Sequence, residues 1–152
     1  MKRKIIYFIL IILWMSFIFC LSNQPASDST ELSDGFISNT IGRIYKVFDS
    51  DISSDELSEI KIKYTHPVRK MAHFTIYMIL GILVTLLVGE YNVSFYRCLF
   101  ISLLVCLLYS ISDEMHQLFV MGRSGEIKDV LIDTSGSFIG IFMFNKLFKK
   151  KV

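Results

Sequence analysis

MAHFTIYMILGILVTLLV, residues 71–88, holds no Asp, Glu, Lys or Arg and approaches the roughly 20 apolar residues that cross a hydrocarbon core. Working outward, three more apolar runs appear: Ile5 to Leu21, Tyr96 to Ile111, and Val130 to Phe148. With 53% hydrophobic and only 20% charged residues, the chain is too apolar for an ordinary soluble domain of 152 residues. In lipid only helices and closed barrels satisfy their backbone polar groups, and these runs lack the strict alternation of barrel strands. The expected fold is therefore all-α: an integral membrane four-helix bundle with an amphipathic outer loop helix. It forms a single domain over residues 1–152, with spans at about 5–21, 68–88, 96–112 and 130–148 and an outer loop over 22–66.

The first run also admits a signal-peptide reading, because Lys2, Arg3 and Lys4 precede it and Ser22 follows Cys20. Its length favours a retained helix, and Phe19 is too large for the slot before a lipidated cysteine. Cys20, Cys98 and Cys106 all fall in apolar runs, where a small buried hydrophobe is the ordinary role. They suggest neither a disulfide framework nor a cysteine metal site.

Charge sets the expected orientation. If four helices alternate, the N-terminus, the 89–95 connection with its flank and the C-terminus share one side. Of the 14 acidic residues only Glu90 falls there, against Lys2, Arg3, Lys4, Arg97, Lys146, Lys149, Lys150 and Lys151. Basic residues close to span ends stay in the cytoplasm, so the protein is expected in the cytoplasmic membrane, multi-pass, with both termini cytoplasmic. The basic residues are split between tails rather than gathered on a face, which argues against nucleic acid as a partner and leaves membrane lipids.

On the opposite side SNQPASDST, residues 22–30, is a turn-rich run. Beyond it Leu32, Phe36, Ile37, Ile41, Ile44, Tyr45 and Phe48 recur at helical spacing, which predicts an amphipathic helix lying on the leaflet or lidding the bundle. Ser53 and Glu56 fit a capping box for a short helix. Pro67 suits a first helical turn, so the second span is expected to start near it. Lys70, His73 and Tyr77 then share one stripe.

The third span ends in Asp113, Glu114, His116 and Gln117. By the three-and-four rule Asp113, His116 and Gln117 share a face and Glu114 points about a quarter turn away. Gly122 and Gly125 flank Arg123 in the following loop, and Asp129 and Asp133 stand one turn apart at the start of the fourth span. Gly136 and Gly140, spaced as GxxxG, permit close helix approach.

Singly these residues have ordinary explanations: Arg69 and Lys70 snorkel to head groups, Asp113 and Glu114 end a helix, and Asp129 favours a helix N-terminus. Together they are harder to dismiss, because an ionisable side chain at mid-membrane costs about 2.5–3.5 kcal/mol and wants a partner. The candidate site is a polar pocket open to the outside, built from Lys70, His73, Tyr77, Asp113, Glu114, His116, Gln117, Arg123, Asp129 and Asp133. No cofactor is predicted. His73, His116 and two carboxylates would suit zinc or manganese, though no HExxH or comparable spacing occurs. A histidine held by a carboxylate near Lys70 and Arg123 suits acid–base work on a phosphate or ester at a lipid head group. Ser110, Ser112 and Ser124 lie near, but none sits in a recognisable nucleophile setting. A proton path is disfavoured by the apolar inner halves of the second and third spans.

HPVRKMAHFTIYMILGILV, residues 66–84, followed by residues 110–140, SISDEMHQLFVMGRSGEIKDVLIDTSGSFIG, resembles the VanZ family of small bacterial membrane proteins. Lys70, His73, Phe74, Tyr77, Asp113, Glu114, Gln117, Phe119, Arg123, Gly125, Asp129, Asp133 and Gly136 occupy the family pattern, and the SNQP after the first helix resembles its S-x-Q-P; His116 is not carried over. The family's namesake is associated with low-level resistance to teicoplanin, a lipid-tailed glycopeptide that acts on cell-wall precursors at the outer membrane face. The resemblance therefore implies an envelope protein that influences antibiotic susceptibility, with a lipid-linked cell-wall precursor or the lipoglycopeptide as partner. The alternatives are a membrane-embedded enzyme acting on such a lipid and a noncatalytic scaffold.

Overall fold

The computed structural model describes residues 1–47 and 53–148, and the expectations for Phe48 and for Lys149 to Lys151 lie outside them. The chain forms α1 (Lys2–Ser22), α2 (Ala26–Val47), α3 (Ser54–Gly89), α4 (Phe95–Gln117) and α5 (Ile127–Phe148), with no strand among the described residues. Three helices, α1, α3 and α4, are long and apolar enough to cross a membrane by length and composition, and they mark the chain as a membrane protein. The expected fourth span, α5, is not among them. It carries Lys128, Asp129, Asp133, Asn145 and Lys146, and it buries Asp133, Ser137, Ile141 and Asn145, one turn apart each, against α3 and α4.

A correction concerns α3. The short helix expected from Ser53 and the span expected from Pro67 are one continuous 36-residue helix with Pro67 inside it. The capping box does form: the Ser53 hydroxyl accepts from the Glu56 amide at 3.2 Å, and the Ser53 amide donates to the Glu56 carboxylate at 3.1 Å. The N-terminal part of α3 is packed by α2, where Ile37 is buried and the Thr65 hydroxyl donates to the Asp34 carboxylate. Leu32, Phe36 and Ile44 remain exposed on α2, so its apolar residues face two ways and not a single surface.

The tightest seam joins α3 to α5. A Cβ at Gly136 would collide with the backbone carbonyl of Phe74, and one at Gly140 with that of Met78. From the opposite helix, a Cβ at Gly81 would lie 2.6 Å from the Ser137 carbonyl oxygen. Both helices thus contribute bare backbone to the contact, the device by which helices pack where no hydrophobic drive separates them from lipid. The Ser137 hydroxyl crosses the seam to the Tyr77 carbonyl at 3.1 Å.

Tyr77, Leu80, Val84, Cys106, Ile141, Ile11 and Ile18 form the core, while Ile5, Phe8, Ile9 and Leu13 on α1 and Phe100 and Leu108 on α4 point outward. Helix α1 is held by Trp14, whose indole donates to the Ile76 carbonyl at 2.9 Å, and by Tyr109, whose hydroxyl donates to the Met15 carbonyl at 2.6 Å. The assembly has two chemically distinct ends. At one, the Lys4 ammonium lies 3.7 Å over the Tyr91 ring and the Asn145 amide reaches the Phe95 carbonyl at 3.4 Å. At the other, Ser22, Asp113, Arg123 and Asp129 come together.

Candidate functional site

The polar end is organised around two buried aspartates. Asp113 closes α4 one turn before its end and is 3% exposed; Asp133 sits two turns into α5 and is 1% exposed. Each is held by one oxygen. Asp113 Oδ2 accepts from the Ser22 hydroxyl at 2.8 Å and the Tyr77 hydroxyl at 3.2 Å. Asp133 Oδ2 accepts from the Ser110 hydroxyl at 3.3 Å. The other oxygen of each, Oδ1, is buried without a hydrogen-bond partner. His73 Nδ1 lies 3.8 Å from Asp133 Oδ1. One ligand atom from each of His73, Asp113 and Asp133 lies within 4.8 Å of the others. Four helices therefore converge here: α1 through Ser22, α3 through His73 and Tyr77, α4 through Ser110 and Asp113, and α5 through Asp133.

Above this layer lies a cleft of about 70 Å³ lined by His66, Arg69, Lys70, His73, Gln117, Arg123, Ser124, Glu126, Asp129 and Asp133, among others. A single water needs roughly 10–15 Å³ by the same measure, so the cleft has room for a few waters or one phosphate-sized group, far less than a glycopeptide. Lys70 donates to Asp129 at 2.5 Å and stands 3.7 Å from Glu126, so its charge is matched. Arg123 is not matched by a carboxylate. Its guanidinium donates to the Gln24 carbonyl at 2.9 Å, the Leu21 carbonyl at 3.3 Å and the Gln117 side-chain oxygen at 3.4 Å, all neutral acceptors. Among the described residues neither Arg123 nor Arg69 has an acid within ion-pair distance. Burial, and then the neighbouring Arg69 guanidinium, hold the Arg123 pKa below its ordinary value. Two guanidinium groups on one cleft, neither ion-paired among the described residues, can offer a place for an anion.

The loop that presents Arg123 follows from its glycines. Gly122 takes φ 73°, a left-handed conformation that side chains rarely adopt, and a Cβ at Gly125 would press into Leu118. Glu114 stiffens the same loop: its Oε1 accepts from the Glu126 amide at 2.8 Å, just before α5 begins.

Of the ten residues expected in the pocket, Lys70, His73, Tyr77, Asp113, Gln117, Arg123, Asp129 and Asp133 gather at this end in or directly beneath the cleft. Glu114 is buried but serves the loop instead. His116 is elsewhere: its Nε2 meets the Asn23 side-chain oxygen at 3.1 Å and its ring packs on Phe19, centroids 4.5 Å apart. It shares the Asp113 stripe in sequence, but the end of α1 captures it, and it is not part of the His73, Asp113 and Asp133 group. Ser22 and Ser110 were not among the expected residues. Nothing local marks Ser22, which is 91 positions from its partner. Arg69, expected only to snorkel, faces the cleft.

The family model described as VanZ/LLP1 matches residues 7–149, nearly the whole chain. Among curated proteins and solved structures no match to this chain was found.

Proposed function

Because the chain belongs to the VanZ/LLP1 family, we propose that it is an envelope membrane protein whose polar end binds the anionic head group of a lipid or lipid-linked cell-wall precursor, and that this engagement changes susceptibility to lipoglycopeptides such as teicoplanin. In this proposal α5 accompanies α1, α3 and α4 through the bilayer, both termini are cytoplasmic, and the cleft opens to the outer leaflet. The observation that carries it is the pair Arg69 and Arg123, which line a phosphate-sized cleft and, among the described residues, have no carboxylate within ion-pair distance. The size of the cleft, about 70 Å³, favours a head group over the drug itself. Binding then acts on what the drug meets at the membrane.

The test combines Arg69→Gln, Arg123→Lys and the double substitution, scored for protein abundance, for phosphate-bearing lipid retained on purification, and for teicoplanin susceptibility. Retained lipid per protein and the effect on susceptibility are expected to fall together when variants are compared at matched abundance. Susceptibility that is unchanged by deletion and by overexpression would refute the antibiotic part of the proposal. Lipid retention that survives the double substitution would refute the head-group part. If Gly136→Ala alone abolishes the phenotype and the arginine variants do not, a noncatalytic scaffold is the better description.

A further inference from the structure

We infer that His73, Asp113 and Asp133 bind one divalent transition cation, zinc or manganese, at the floor of the cleft. Imidazole and carboxylate together suit those ions. The three ligand atoms lie within 4.8 Å of one another, and His73 Nδ1 and Asp133 Oδ1 are 3.8 Å apart. Donors on one such ion, with bonds of about 2.0–2.2 Å, stand roughly 3–4 Å apart, so small side-chain rotations complete the set.

An acidic cluster alone would not carry this. What carries it is the asymmetry within each carboxylate. Hydroxyls from Ser22 and Tyr77 fix Asp113 Oδ2, and the Ser110 hydroxyl fixes Asp133 Oδ2. Both Oδ1 atoms are left buried with no hydrogen-bond partner among the described residues, on side chains 3% and 1% exposed. A buried acceptor without a partner costs about 1–3 kcal/mol, and more for a charged group. Two of them beside one imidazole describe a first coordination sphere whose outer oxygens are already oriented by hydrogen bonds, the arrangement that tunes metal ligands. Three protein ligands leave the remaining positions for water or for an oxygen of the bound anion. The inference deepens the head-group proposal and rests on it only for the identity of that anion; the cation site stands on its own atoms.

The test uses the full chain in detergent, without a polyhistidine tag, stripped with chelator and titrated with Mn²⁺ and Zn²⁺. Metal analysis is expected to give about one ion per chain, with affinity falling at least tenfold in His73→Gln, Asp113→Asn and Asp133→Asn and holding in His116→Gln. Cobalt(II) absorption on the unsubstituted chain gives a readout that requires no variant to fold: ligand-field bands from a mixed nitrogen and oxygen site are expected. An unsubstituted chain that takes up no ion and shows no such bands overturns the inference, as does binding undiminished in all three variants. In either case lipid retention that still depends on Arg69 and Arg123 would leave the head-group proposal standing.

Discussion

Gly136→Ala is expected to destabilise the protein, although the same change usually stabilises a helix. In a helix interior alanine is favoured over glycine by about 0.8–1.0 kcal/mol. At position 136 the new methyl would collide with the Phe74 backbone carbonyl, and backbone cannot rotate out of the way as a flexible side chain can. Relief requires α5 to move off α3, and that motion stretches two contacts nearby, the Ser137 bond to the Tyr77 carbonyl at 3.1 Å and the His73 approach to Asp133 at 3.8 Å. Overpacking of this kind costs about 1–3 kcal/mol, which exceeds the propensity gain across that range once a hydrogen bond of about 1 kcal/mol is also lost. The net expectation is a loss of about 1–3 kcal/mol, a 5- to 150-fold larger unfolding constant. Gly35→Ala on α2 is the matched control: nothing lies within 4 Å of a Cβ there, so the propensity gain should survive and the variant should equal or exceed the parent. Reversible unfolding in mixed micelles measures both. A Gly136→Ala protein as stable as Gly35→Ala would refute the close-contact reasoning.

Tyr77→Phe removes one of two donors to Asp113 and should cost about 1 kcal/mol; combining it with Ser22→Ala should cost more than the sum of the two, since the carboxylate then loses its last hydroxyl, and an additive result in the same unfolding assay would contradict the shared-partner geometry. Lys70→Ala breaks a pair whose side chains are 23% and 30% exposed, so a loss of about 1 kcal/mol or less is expected, shrinking as salt is raised. Arg123→Lys keeps the charge but loses the planar fork that reaches both the Leu21 and Gln24 carbonyls; a drop of about 1–3 kcal/mol is expected, and an unchanged unfolding midpoint would speak against that clamp. A cysteine at Ser124 should react in intact cells with a membrane-impermeant maleimide and one at Glu90 should not; the reverse pattern would invert the proposed orientation.

Much of this architecture was legible in the sequence because a bilayer leaves few options for long apolar runs. The Gly136 and Gly140 spacing announced a close seam, and the Ser53 and Glu56 box announced a helix start. What stayed hidden depended on partners remote in the chain. A proline reads equally well as the first turn of a helix or as an interruption within one. Here α2 packs on the N-terminal part of α3, and the helix continues through Pro67 against a cost of about 3 kcal/mol. The polar stripe of α4 was visible, but which of its members enter the site was not: Asp113 met hydroxyls from α1 and α3, and His116 met Asn23 and Phe19. Arg69 reads as a snorkelling cation until the fold places it on the cleft, with no acid at ion-pair distance among the described residues.

The length of α3 has a mechanical consequence. Its 36 residues at 1.5 Å each measure about 54 Å, whereas the hydrocarbon layer is about 30 Å deep. The surplus is a stalk braced by α2, and Pro67 stands one turn before Lys70, where its missing N–H leaves a rung of the helix ladder open. Swaying of the stalk is therefore expected to pivot at that rung and to alter the gap between His66 and Arg123, which both line the cleft, while the deeper aspartates stay put; spin-label distances from Ser58 to Ser124 should then vary and those from Tyr77 to Ser124 should not. Anything that grips the α2–α3 hairpin before Pro67 would then have leverage on the mouth of the site without touching its floor.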